Sequence, residues 1–202
     1  MEYVLVLALF AGFLYLKSQE QGRRIALLAS HLGKFDLEKL MASLMEGYLR
    51  ALGESAPERQ SQVWGYLASQ EEKLRDQFAQ FAKDFSDVWA DNALVSTLPV
   101  AIPRADKLFP AATFDVRKLF EIHARGIDEV VRNAANAAPK DRAYMLTAEM
   151  MLMQHSCHWF CRSKTVASAR LLARHQTRYE QVLAAVSPST RNAYQRLVGG
   201  PG

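Results

Sequence analysis

The sequence predicts an all-α protein: an N-terminal single-pass anchor helix followed by a helical bundle of about five long helices with a proline-rich crossover. Three observations carry this. The run Tyr3–Leu16 holds fourteen residues without a charge or an amide. Through most of the remaining chain, apolar residues recur at alternating steps of three and four, the period of one helix face, and neither a strand-period run nor an internal repeat occurs. Pro99, Pro103 and Pro110 interrupt that pattern once, in the middle. With 202 residues, half of them hydrophobic, the chain has material for one sizeable core.

As a helix, the first run covers about 21 Å, short of the roughly 30 Å of bilayer hydrocarbon. Tyr3 and Tyr15 at its ends suit the headgroup level, and Lys17 can snorkel. A signal peptide would need a basic leading region and a small-x-small cleavage site, and only Glu2 precedes the run. A buried core helix is the competing reading, but a helix apolar on every side needs something to hide it. Lys17, Arg23 and Arg24 follow the run, so the positive-inside bias assigns the rest of the chain to the cytoplasmic side of the inner (cytoplasmic) membrane.

Ile25, Leu28, Ala29 and Leu32 continue the stripe, which makes residues 1–33 the anchor helix with its cytoplasmic extension. Residues 34–198 form the bundle domain and 199–202 a frayed tail; a chain starting near Ile25 is expected to be soluble. Asp36 as cap, with Phe35 and Leu40 placed as a hydrophobic staple, opens a second helix that ends near Gly53. Ser55-Ala-Pro-Glu58 has the spacing of a capping box and opens the longest segment, to about Leu94. Its seam is Trp64, Leu67, Leu74, Phe78, Phe81, Phe85 and Val88, broken only by Glu71. Ser96–Ala112 is too rich in proline for a helix and too apolar for a free linker, and is expected to lie ordered across the bundle.

Thr113 or Asp115 then caps a helix with an inward stripe of Val116, Leu119, Phe120, His123, Ile127, Val130 and Ala134, and Pro139 ends that passage and opens the next. From Asp141 to about Val186 the chain reads as helix with a break near Ser163–Thr165. Its first half, Ala143–Cys161, is apolar on nearly every side and belongs at the centre; its second half turns Val166, Leu172, Tyr179 and Val182 inward. Ser187-Pro188 opens a last helix that ends at Gly199.

Two groups of residues stand out as candidate sites. His155, Cys157, His158 and Cys161 offer imidazoles and thiols, the donors that borderline and soft metals prefer. At about 100° per residue, Cys157, His158 and Cys161 share one arc and His155 lies beyond it, so His123 on its apolar face is the natural further ligand. The spacing matches no zinc pattern, and a haem-attachment signature is missing. Without a metal, the cysteines are small core hydrophobes in a reducing compartment. No cofactor is therefore expected, and a metal- or haem-binding redox or sensor protein is the alternative. Glycine-rich phosphate loops, nucleophile elbows and H-E-x-x-H are all missing, so an enzyme is the less favoured class.

The second group is basic. Residues 162–202 carry seven Lys/Arg against one acid, while residues 1–161 are net negative. Arg170, Arg174 and Arg178 fall at i, i+4 and i+8 along one helix side with no acid among them, and Arg162 and Lys164 extend the patch, as do Arg191 and Arg196. Such a patch can grip an acidic protein, anionic lipid or nucleic acid, or simply be a solvated face. Interleaved aromatics are lacking, which counts against single-stranded nucleic acid. These features make a membrane-anchored interaction or assembly protein, part of an inner-membrane complex with a protein partner, the leading expectation. A membrane-tethered nucleic-acid-binding protein is the second alternative.

Overall fold

The structure, a computed structural model, describes residues 2–133 and 136–199. Among them ten helices and one short ribbon form an all-α architecture. Helix α1 (Glu2–Leu32) runs unbroken from the apolar stretch into the domain. It is followed by α2 (Leu37–Gly53), α3 (Pro57–Ser86), the single turn α4 (Ala90–Ala93) and strand β1 (Leu94–Ser96). The crossover holds α5 (Ala105–Leu108) and leads to strand β2 (Thr113–Asp115). Then come α6 (Val116–Arg132), α7 (Pro139–Cys161), α8 (Lys164–His175), α9 (Tyr179–Ala185) and α10 (Pro188–Val198). Five of these helices have 17 residues or more, as the periodicity requires.

Helix α3 packs between α2 and α6, and α6 packs on α7. Their meeting point is aromatic: Phe81 and Phe85 of α3 stand edge-on to Phe120 of α6 at 5.1 and 5.0 Å, and Phe85 meets Phe160 of α7 at 5.9 Å. Offset edge-to-face pairs at such distances add to the stabilisation from apolar burial. Helix α7 is central, with eleven buried residues including Leu146, Leu152, Trp159 and Phe160. Asp115 caps α6 by accepting from the Arg117 amide at 2.9 Å, Ser163 caps α8, and Ser187 caps α10 with Pro188 in its first turn.

Several expectations need correction. The capping box at Ser55 does not form; Ala56 precedes the helix, and its amide donates to the Glu54 carboxylate at 3.0 Å. Asp36 makes no side-chain cap, and its amide donates to Gln77 instead. Helix α3 ends at Ser86, short of Leu94, because the chain turns to reach an antiparallel ribbon in which Val95 pairs with Phe114. Thr113 lies in that ribbon, so the cap is Asp115 alone. The long final segment breaks twice, at Ser163 and again at Gln176, whose left-handed φ of 51° ends α8. In α8 the inward residues are Ala167 and Leu171, whereas Val166 and Leu172 are exposed; Tyr179 and Val182 of α9 are buried as the pattern requires. Ala134 and the tail residues 200–202 lie outside the described residues.

Candidate groove beside the anchor helix

Over Tyr3–Leu16, the large side chains of helix α1 are exposed on every side. It is long and apolar enough to cross a membrane. Its second half is docked. Leu28 is buried, and the Arg24 guanidinium donates to the carbonyls of Phe160 at 3.3 Å and Leu94 at 3.2 Å while pairing with Glu20 at 2.7 Å. Gln21 accepts from Arg162 at 2.6 Å. The stretch of α1 from Glu20 onward therefore packs with the bundle. Arg24 serves packing, because it satisfies a free carbonyl at the end of α7, and Arg23 and Lys17 are left as the basic flank.

The docked half of α1 does not close against its neighbours. Between α1 and α2 on one side and α7 and α8 on the other lies an open groove of about 740 Å³, within the range typical of binding sites. Its floor is apolar and soft, with Leu28, Met41, Met45 and Met153 among the lining side chains. Unbranched, polarisable methionines let such a surface fit more than one shape. Its lip is basic. Arg170 and Arg174 stand along one edge; Arg170 donates to His158 Nδ1 at 3.2 Å, and Arg174 reaches Glu38 of α2 at 3.7 Å.

The groove gathers both groups singled out in the sequence. Cys157, His158, Cys161, Arg162, Arg170 and Arg174 all line it. His123 does not join them: it is fully buried with Nε2 at 2.8 Å from Ser156 Oγ. His155 is also enclosed, 3.0 Å from Ser168 Oγ and stacked on Tyr179 at 4.7 Å. Among the described residues, no group of three or more His, Cys, Asp and Glu side chains is placed to hold a metal. Burial pushes the Cys157 thiol up, aided by Cys161, and raises Cys161 to about 11. Both stay protonated at neutral pH, and the thiolate is the reactive form. Burial, with Arg170 and Arg174 nearby, lowers His158, so the lip histidine is neutral.

The arginine row itself is corrected. Arg170 and Arg174 share α8, but Arg178 lies past its end as the residue before α9, its amide donating to Gln181. An acid does face the row, since Glu38 comes from another helix. Lys164 lies over the rings of Trp159 and Tyr179 at 5.4 and 5.0 Å, a cation–π arrangement at the start of α8. Tyr3 and Tyr15 are exposed at the two ends of the apolar run.

Sequence reasoning marked Glu71 only as a break in the seam and did not single out Glu149, yet both carboxylates are buried. Glu71 accepts from the Tyr48 hydroxyl at 2.7 Å and pairs with Arg142 at 3.0 Å. Glu149 accepts from the Ser187 amide at 3.0 Å, and burial raises its pKa to about 7. A lone acid within an apolar stripe was the available signal for both.

Comparison of the chain with protein-family models, curated proteins and solved structures finds no match.

Proposed function

We propose that the protein is a membrane-anchored docking component of an inner-membrane assembly. In this reading, α1 holds the bundle at the cytoplasmic face and the groove receives an apolar segment of a partner protein that carries acidic flanking residues. One observation carries it: the helix that is apolar all round over Tyr3–Leu16 continues without a break into a wall of the groove. Anchor and seat are thus one rod. Lys17 and Arg23 after the apolar run support a cytoplasmic domain. The arginines stand on the lip of an apolar groove, which favours an apolar occupant with acidic flanks over a nucleic-acid backbone.

A photo-crosslinking side chain at Ala42, on the groove wall, is expected to give a discrete adduct in native membranes. That adduct is expected to vanish in the Arg170→Glu, Arg174→Glu double variant, because those exposed charges steer association and contribute little to folding. The same adduct from Tyr144, at the opposite end of α7, or its persistence in the double variant, would overturn the reading.

A further inference from the structure

The membrane-proximal end of the domain carries an apolar patch that packing leaves uncovered. Val100, Leu108 and Phe109 of the crossover are 57, 62 and 45 % exposed. Lys107 reaches Asp91 at 3.5 Å, which draws the turn bearing Trp89, 82 % exposed, towards α5. Crossover and anchor are tied together where the apolar run of α1 ends. Val100 and Ile102 line a small cleft together with Lys17 and Arg24, and the Arg104 amide donates to the Glu20 carboxylate at 2.9 Å. Arg104 holds a left-handed φ of 54°, a strained conformation that this bond to α1 helps fix. At the other end of the segment, Pro99 accepts from both the amide and the hydroxyl of Thr165.

We infer that the crossover is a second membrane contact: Val100, Leu108, Phe109 and Trp89 insert into the interfacial layer of the same bilayer that α1 crosses, while Arg104 meets anionic headgroups and Lys107 stays paired with Asp91 and Asp106. The inference rests on the reading of α1 as a membrane segment. Continuity carries it, because the patch begins beside Lys17, where α1 leaves the hydrocarbon. Length supports it as well. An apolar run of about 21 Å is shorter than a bilayer core, and a short anchor draws its flanks into the interface. Flanks of aromatic and aliphatic side chains are what that layer stabilises. Two contacts, one spanning and one interfacial, would fix the rotation of the bundle about α1 and so the direction in which the groove opens.

The test uses the full chain, reconstituted into vesicles of phosphatidylcholine and phosphatidylglycerol. An environment-sensitive fluorophore is attached at Phe13→Cys, Leu108→Cys or Tyr144→Cys in a Cys157→Ala, Cys161→Ala background, and spin-labelled lipid is the quencher. Quenching at both position 13 and position 108 is expected, with none at position 144, which lies about 26 Å along α7 from Cys161. Quenching at 13 with none at 108 would overturn the interfacial contact and leave the anchor standing. Quenching at neither would remove the anchor and the inference together. If the cysteine-free background loses its helix content, the native chain supplies the readout through brominated lipid. Tryptophan quenching that disappears in Trp89→Phe supports the contact, and absence of quenching overturns it.

Discussion

Buried ionisable side chains set the behaviour of this protein at the scale of single residues. His123 and His155 are held to pKa values of about 3, chiefly by burial, with His155 adding to the effect on His123 and Lys164 to that on His155. Each therefore costs stability as pH falls below about 6.5, since the unfolded chain binds a proton that the folded one refuses. Glu149 works in the opposite sense. Its folded pKa of about 7 lies above the ordinary carboxylate value, so its contribution is complete at low pH and is lost as pH rises through 7. Glu149→Gln is accordingly expected to match the native protein near pH 4 and to exceed it by about 3 kcal/mol near pH 8. Denaturant unfolding at the two pH values checks this, and a difference that does not grow with pH would contradict it. The sequence shows Glu71 and Glu149 only as oddities on apolar stripes; their partners Arg142 and Ser187 come from other helices and leave no local trace.

At the scale of elements, helices with an uninterrupted stripe closed by a glycine were legible. α1, α2 and α10 end within a residue or two of where Gly33, Gly53 and Gly199 place them. α8 was misphased because Gln176 breaks it through a left-handed turn that glycine usually signals, and the ribbon was invisible because three residues are too few for a period. Helix α7 was correctly placed at the centre. Trp159 is 2 % exposed there, edge-on to Phe114 at 5.0 Å, with its indole donating to Ser96 at 3.0 Å. Trp159→Ala is expected to cost about 3–5 kcal/mol through the cavity left behind, measured by unfolding of the full chain. Arg24→Ala tests the docking of α1: it strands two carbonyls that the guanidinium satisfies, so a loss of about 1–3 kcal/mol is expected. Unchanged stability in that variant would mean that α1 is held by Leu28 and its apolar neighbours alone.

For the whole molecule, the proposed reading has one long helix joining two environments. Its apolar half, fourteen residues with exposed aliphatic and aromatic side chains on all sides, is long and apolar enough to cross a membrane once the flanking residues are counted. Its other half builds the groove. The groove itself was not legible, because it arises only when four helices are assembled around a gap, yet its basic lip and its thiols were picked out by composition and spacing. The most direct measurement of the central claim is alkaline carbonate extraction of membranes carrying either the full chain or a chain starting at Lys17. The full chain is expected to stay in the membrane pellet. The shorter chain, which retains Arg24, Gln21 and the docked half of α1, is expected in the supernatant with near-ultraviolet circular dichroism characteristic of a packed core. Release of the full chain by carbonate would contradict the claim that α1 anchors the protein in the bilayer.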